Sequence, residues 1–241
     1  MAFTYKDLII LYEDNHILVV VKPFNLPVQA DSSGDTDMLT LLKQYLVETY
    51  HKEGEAYLGL VHRLDRVTGG VMVFAKTSKA ASRLCEALKK GDFEKKYFAV
   101  VRGDVEKSDE RLVHYLKKYE SKNIVSVVPQ TETDAKRAEL EYRMLEGKEG
   151  TTLVSVDLMT GRSHQIRVQM STIGHSLVGD QKYGKPMDGE PRCQLALWAY
   201  ELKFTHPTTQ KRMCFRVGVA SNAYPWNLYN MEMYINLSVK E

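Results

Sequence analysis

The segment 61–75, VHRLDRVTGGVMVFA, places three charged side chains directly ahead of an uninterrupted apolar run. Its last five positions are all apolar, which is typical of a β-strand buried on both faces. Arg63, Asp65 and Arg66 stand at the start of that strand, where side chains are partly withdrawn from water. Because an unpaired buried carboxylate is costly, Asp65 needs a partner. The Gly-Gly pair before the strand favours a turn that lets backbone or a ligand approach closely. By itself, the segment fits a functional aspartate and a structural arginine–aspartate pair equally well.

Short apolar runs bounded by turn residues predict further strands on both sides of this segment. Strands are predicted at 8–12, 17–21, 71–75, 97–101, 124–128, 138–144, 152–158, 195–204 and 213–219. The second of these ends at Lys22-Pro23, since proline cannot continue a strand ladder. Helical spacing of apolar residues predicts helices that begin after a cap at Thr36 or Asp37, at Ser78 and near Ser163. Because hairpins and strand–helix–strand connections are mixed, the sequence predicts an α+β fold on a large mixed, mostly antiparallel sheet flanked by helices.

The bulk composition indicates an ordinary globular protein of the cytoplasm. The chain has 241 residues, 44% of them hydrophobic and 27% charged, with a net charge of +2. Cys85, Cys193 and Cys214 are far apart, which argues against a disulfide framework or a zinc ribbon. The first twelve residues lack a signal-peptide core, and the apolar run 17–21 is too short to cross a bilayer, so no membrane association is expected. A nucleic-acid partner is neither required nor excluded by this charge.

A second polar cluster lies in the segment 160–167, TGRSHQIR, which opens a predicted helix. His164 and Arg167 fall on a different face from the apolar stripe that includes Ile166. An arginine aimed at an aspartate would keep that carboxylate ionised and orient it through a forked hydrogen bond. A solvated helix face is the alternative interpretation.

A third cluster, Lys95-Lys96-Tyr97, begins a predicted strand. Lysines beside an aromatic ring suit a phosphate backbone and a base that is splayed out of its stack. Lys89 and Lys90 precede this cluster at a helix end, where basic residues also simply complement the helix dipole.

Together these three segments resemble the RluA-type pseudouridine synthases. The family signature H-R-L-D-x-x-T-S-G corresponds to residues 62–70, and later family segments correspond to 96–103 and 161–167. The opening 11–23 and the segment 179–184 also fit, so the resemblance runs in order from about residue 8 to about residue 219.

The resemblance implies a pseudouridine synthase fold and an isomerase that acts on uridines of ribosomal or transfer RNA. By it, Asp65 is the catalytic residue, Tyr97 stacks on the target uracil, and Arg167 is the partner of Asp65. Arg63 would help to displace the target base from its stack. The other predicted RNA contacts are His62, Lys96, Arg162 and His164. More loosely, phosphate contacts are predicted for Lys117, Lys118, Lys182, Lys185, Lys211 and Arg212.

Three positions depart from the family pattern. Gly69 stands where serine is usual, Gln169 where histidine often follows the arginine, and Trp198 where histidine is common. These departures bear on the choice of substrate rather than on the reaction.

The implied reaction needs no oxidation and imports no group, so we expect no cofactor and no metal ion. The sequence has no phosphate-binding loop, no dinucleotide-binding glycine motif and no histidine–cysteine cluster at metal spacing. The aspartate can attack the ribose as a nucleophile or remove a ribose proton to give a glycal, and the sequence leaves both routes open.

Two other functions compete with this interpretation. A non-catalytic RNA-binding protein could keep the fold, although a binder has no physical need for Asp65, Tyr97 and Arg167 together. A hydrolase acting on a glycosidic or phosphodiester bond would need a second carboxylic acid or metal ligands, and neither is evident near the motif.

One catalytic domain is expected to cover residues 1–241. The first predicted strand begins near the start of the chain, so no separate N-terminal RNA-binding domain is expected, and the predicted state is a monomer. The aromatic-rich tail, 222–241, is expected to pack back onto the body of the protein.

Overall fold

The computed structural model describes residues 3–219 and 221–237 of the chain. This part of the chain forms eleven β-strands and four α-helices. Its residues divide into two compact units. The first unit comprises the chain up to Phe93 together with Glu201–Val217, and the second comprises Glu94–Tyr200 together with the chain from Gly218 onward.

The first unit holds the N-terminal strands and two helices. Its elements are β1 (Ile9–Glu13), β2 (Ile17–Lys22), α1 (Met38–Thr49), β3 (Gly59–Leu60), β4 (Gly69–Ala75), α2 (Ser78–Lys90), the second part of β10 (Leu197–Thr205) and β11 (Arg212–Arg216). Strands β1, β2 and β4 are neighbours in that order, β3 pairs with β4, and β10 pairs with β11, all of them antiparallel.

The core of the first unit forms around β2 and β4, the second of which the sequence predicts to be buried on both faces. Every residue of β2 and of β4 is buried. Val19 and Val73, which lie opposite each other in the strand register, pack with Leu84 of α2 and with the rings of Phe93 and Phe204. Burial on both faces explains why β2 and β4 are apolar at nearly every position.

Polar caps and a left-handed glycine set the ends of the two helices. The Asp37 carboxylate accepts the Thr40 N–H at the start of α1, and the Thr77 hydroxyl accepts the Ala80 N–H at the start of α2. Gly91 ends α2 with φ +82°, a conformation that favours glycine. The predicted starts of both helices therefore agree with the structure.

The second unit is built on a five-stranded antiparallel arrangement with the order β5-β9-β8-β6-β7. Its elements are β5 (Glu94–Arg102), β6 (Asp109–Tyr119), β7 (Ile124–Val127), β8 (Lys136–Lys148), β9 (Thr151–Leu158), α3 (Gln165–Thr172), the first part of β10 and α4 (Met231–Leu237). Glu149 and Gly150 both have positive φ between β8 and β9, as a tight hairpin turn requires.

The nine predicted strands and three predicted helices are present, whereas β3, β6 and α4 were not predicted. The missed strand β6 is half charged, and its buried residues Leu112 and Leu116 are four positions apart, a spacing that fits one face of a helix as well as one face of a strand. In the tail, Trp226 and Tyr229 are buried, and the Tyr229 hydroxyl lies 2.8 Å from the Thr151 hydroxyl. Residues 238–241 of the predicted tail lie outside the described residues.

None of the helices in the described ranges combines the length and the hydrophobicity that crossing a bilayer requires.

Candidate active site

The loop that carries Asp65 runs between β3 and β4 in the first unit. Leu64 anchors it in the core, Asp65 is half-buried and Arg63 is exposed. The Thr68 N–H donates to the Asp65 carbonyl at 2.9 Å and closes a turn. Gly70 follows with φ +128°, which only glycine adopts readily. The turn thus lies at Asp65–Thr68, just ahead of the glycine pair at which it was predicted, and the pair itself opens β4.

The side chain of the buried residue Lys22 holds this loop through hydrogen bonds. Lys22, at the end of β2, has no exposed surface, and its Nζ donates to three backbone carbonyls. The acceptors are Pro23 at 3.0 Å, Arg66 at 2.9 Å and Thr68 at 2.7 Å. The carbonyls of Arg66 and Thr68 follow Asp65 in the chain, so the Lys22 amine fixes the backbone on which the carboxylate is mounted.

Two opposing effects shift the pKa of Lys22. Burial is the larger and lowers the pKa of Lys22 to about 7, whereas the negative charge of Asp65 raises this pKa. Asp65 thus has a cationic neighbour within its own unit.

Replacing Lys22 with methionine is expected to cost about 2–4 kcal/mol of unfolding free energy at pH 7, because the buried carbonyls lose their N–H donors. The difference between wild type and Lys22→Met should also depend on pH. Because the folded-state pKa of about 7 lies below the ordinary value of 10.5, the unfolded chain holds a proton that the folded chain has lost. Wild type should therefore gain stability over Lys22→Met by about 1 kcal/mol per pH unit between roughly pH 7 and 10.

Urea denaturation of both proteins across this pH range measures that difference. A flat difference would mean that the amine keeps its proton when folded, contrary to the expectation.

The neighbours of Asp65 in the motif have structural contacts of their own. The Val73 N–H donates to His62 Nε2 at 3.2 Å, and the His62 ring packs against Phe93. Arg66 donates to the Ser33 hydroxyl and forms an ion pair with Asp35. These contacts tie both ends of the motif to the rest of the first unit.

Tyr97 and Lys96 lie next to each other on β5 in the second unit but point to opposite faces of the strand. Tyr97 is buried, whereas Lys96 Nζ lies 3.6 Å from the carboxylate of Asp157, its partner in the register with β9.

Arg167 is buried on α3 and forms a forked ion pair with Asp180. Its Nε and Nη2 donate to the two carboxylate oxygens at 2.7 and 2.8 Å. Burial alone would raise the pKa of Asp180, but the hydrogen bonds and charge of Arg167 and the N–H groups of Lys182 and Tyr183 lower this pKa overall. A carboxylate stabilised in its ionised form therefore orients the guanidinium.

Tyr183 links three parts of the second unit. Its ring lies 5.0 Å from the Arg167 guanidinium carbon, and its hydroxyl accepts the Val125 N–H. The hydroxyl oxygen is also 2.5 Å from His164 Nδ1. The Tyr183 hydroxyl therefore joins the Val125 backbone on β7 to the His164 ring at the start of α3.

Two of the three departures from the family pattern are fully buried. Gln169 donates to the backbone of Leu112 and to His114, and Trp198 has no exposed surface. Neither side chain is presented at the protein surface.

The predicted site residues therefore form two groups. His62, Arg63 and Asp65 come together in the first unit, and Lys96, Tyr97, Arg162, His164 and Arg167 belong to the second. Sequence reasoning missed Lys22, Asp180 and Tyr183. A signal existed for each, because Lys22 lies within the resembling segment 11–23, and Asp180 and Tyr183 lie within 179–184.

Comparison with known proteins identifies the family to which the chain is related. The family model described as RNA pseudouridylate synthase matches residues 16–172. The chain belongs to this family. The predicted resemblance is thereby confirmed.

Two family members illustrate the degree of similarity. The chain is 33% identical over 213 residues to ribosomal large subunit pseudouridine synthase C of Buchnera aphidicola subsp. Baizongia pistaciae, covering 85% of this chain and 64% of that protein. It is 40% identical over 185 residues to ribosomal large subunit pseudouridine synthase D of Yersinia pestis, covering 76% and 53%. The chain thus matches less than two thirds of either relative's length.

The fold is that of the family as well. The structure of human RNA pseudouridylate synthase domain containing 4 superimposes with a TM-score of 0.73 at 22% identity, covering 87% of each chain. This likeness confirms the predicted α+β pseudouridine synthase fold.

Proposed function

We propose that this protein is an isomerase that converts uridine to pseudouridine in ribosomal or transfer RNA. The observation that carries the proposal is the setting of Asp65. This carboxylate is half-buried in the segment that matches the family signature, on a backbone held by Lys22. Two relatives named as ribosomal large subunit pseudouridine synthases favour ribosomal RNA as the substrate.

The reaction breaks the bond between ribose C1′ and uracil N1 and forms a bond between C1′ and C5. The C5 proton leaves and N1 gains a proton, so atoms and charge balance without any other reactant. We propose that Asp65 starts the reaction at the ribose, either as a nucleophile or as a base. Reaching a stacked uridine requires its extrusion, and the exposed Arg63 is proposed to assist that step.

Tyr97 and Arg167 are the other proposed catalytic residues. A buried phenol suits stacking against the detached uracil, and a guanidinium held by Asp180 suits the orientation of a carboxylate. His62, Lys96, Arg162 and His164 are the remaining proposed RNA contacts. Of these, Arg162 is exposed and its Nε donates to the Arg137 carbonyl.

Replacing Tyr97 with phenylalanine is expected to keep the ring that stacks on uracil while removing the phenolic proton. If the phenolic group assists the loss of the C5 proton, the single-turnover rate of Tyr97→Phe should fall by about 10²-fold. RNA affinity should be unchanged. A wild-type rate for Tyr97→Phe would show that Tyr97 acts by stacking alone.

The proposed place of action is the cytoplasm, with the protein acting as a monomer. Cys85, Cys193 and Cys214 are free thiols, as a reducing compartment favours.

Mapping pseudouridines in total RNA from cells with and without the gene tests the proposal. We expect one or a few pseudouridines to disappear from ribosomal or transfer RNA and to return when the wild-type gene is restored. An unchanged map would contradict the proposed reaction.

A further inference from the structure

Strand β5 presents two adjacent lysines in different electrostatic settings. Side chains alternate along a strand, so Lys95 shares the face of Tyr97 while Lys96 points to the other face. The Lys96 ammonium is already balanced by the Asp157 carboxylate at 3.6 Å. Of the two lysines, only Lys95 therefore lies on the same face as Tyr97, the residue proposed to stack on the uracil.

Lys95 is half-buried, and across residues 3–219 and 221–237 its ammonium has neither a hydrogen bond nor an ion pair. Burial lowers the pKa of Lys95 below its ordinary value. A partly desolvated cation without a partner is unfavourable in the ligand-free protein. Binding of an anion beside it would remove that cost.

The Lys95 ammonium lies beside an open stretch of backbone. A Cβ added to Gly161 would lie 3.6 Å from Lys95 Nζ, and Gly161 itself is exposed. Because no side chain covers the ammonium at this point, a ligand can approach it across the glycine.

The loop on which Gly161 lies is held in one arrangement. The buried Gln165 side chain accepts both the Arg162 N–H at 3.0 Å and the Thr160 hydroxyl at 2.8 Å, and it donates to the Glu139 carbonyl. A site built on such a held loop loses little freedom when a ligand binds.

The spacing of Lys95 and Tyr97 suits one nucleotide. Residues two apart on a strand are separated by about 7 Å, a span that a nucleotide bridges between its base and its own phosphate. We infer that Lys95 binds the backbone phosphate of the nucleotide whose base stacks on Tyr97, an inference that rests on the proposed RNA substrate.

The test measures RNA affinity over a series of salt concentrations. The probe is an unmodified in vitro transcript of large-subunit ribosomal RNA, and the proteins are wild type, Lys95→Met, Lys95→Arg and Lys79→Met. Lys95→Met should weaken binding about tenfold at moderate salt and make the slope of log affinity against log salt about one unit less negative. Lys95→Arg should keep the wild-type slope, and Lys79→Met should change affinity much less than Lys95→Met.

Gly161→Ala provides a second variant that leaves the charge in place. The added methyl group would meet Lys95 Nζ at an ordinary contact distance, and the backbone of Gly161 is not left-handed. The methyl group should cover the ammonium and weaken RNA binding while the unfolding free energy stays near the wild-type value. Lys79→Met, which removes an exposed lysine on α2, controls for the general loss of one positive charge.

Pseudouridine formation on the same transcript is measured separately. Equal affinities and slopes for wild type, Lys95→Met and Gly161→Ala would overturn the phosphate site, even if the wild type makes pseudouridine. Loss of affinity in Lys95→Met from a wild type that makes no pseudouridine would support the site and count against the proposed reaction. Failure of the wild type to bind the transcript would overturn both.

Discussion

Replacing Asp65 with asparagine is expected to lower the rate of pseudouridine formation by at least about 10⁴-fold. Asparagine keeps the size of the side chain but can neither attack the ribose nor accept a ribose proton. The loop around it should persist, because the Lys22 amine holds the carbonyls of Arg66 and Thr68 rather than the side chain of residue 65. Single-turnover assays and RNA-binding titrations on one transcript measure the two effects separately.

Asp188→Asn is a matched control, because Asp188 is an exposed aspartate in a loop of the second unit. It should leave both rate and affinity at wild-type values. Substantial isomerase activity in Asp65→Asn, in a preparation free of contaminating synthase, would refute the assignment of Asp65.

Replacing Arg167 with methionine is expected to cost about 3–5 kcal/mol of unfolding free energy. The change leaves the Asp180 carboxylate, whose side chain is 0% exposed, without its forked partner. Pseudouridine formation should fall as well, because the proposed orienting charge is lost. Urea denaturation at neutral pH measures the stability term.

A double-variant cycle separates the ion pair from the packing of Arg167. In the background of Asp180→Asn, the change Arg167→Met should cost much less, because no buried charge is then stranded. The asparagine oxygen can still accept the N–H groups of Lys182 and Tyr183, which Asp180 accepts in the wild type. Equal costs of Arg167→Met in both backgrounds would show that the pair contributes nothing specific.

Much of the fold was predictable because strands buried on both faces have continuous apolar sequences. Strands β2 and β4 are buried along their whole length, and their continuous apolar runs reveal them. Strand β6 has no such apolar run. It buries only Leu112 and Leu116, while its charged residues form ion pairs such as that between Arg111 and Glu139.

The candidate site was predictable in its residues but not in its contacts. Lys22 looked like the end of a strand because proline follows it. Its function as a triple donor depends on carbonyls that lie 44 and 46 positions further along the chain. Likewise, the helix face predicted that Arg167 points inward, but not that Asp180 accepts its fork.

Lys95 shows the same limit at the level of a single residue. The sequence presents Lys95 and Lys96 as equivalent neighbours of Tyr97. Strand alternation separates their faces, but the Asp157 carboxylate that pairs with Lys96 becomes visible only once the pairing of β5 with β9 is known.

Release of tritium from RNA labelled at uracil C5 tests the central claim most directly. Purified wild-type protein, incubated with a labelled ribosomal or transfer RNA transcript, should release tritium in proportion to the pseudouridine formed, and Asp65→Asn should release none above background. A wild-type protein that binds the transcripts but releases no tritium from any of them would contradict the account.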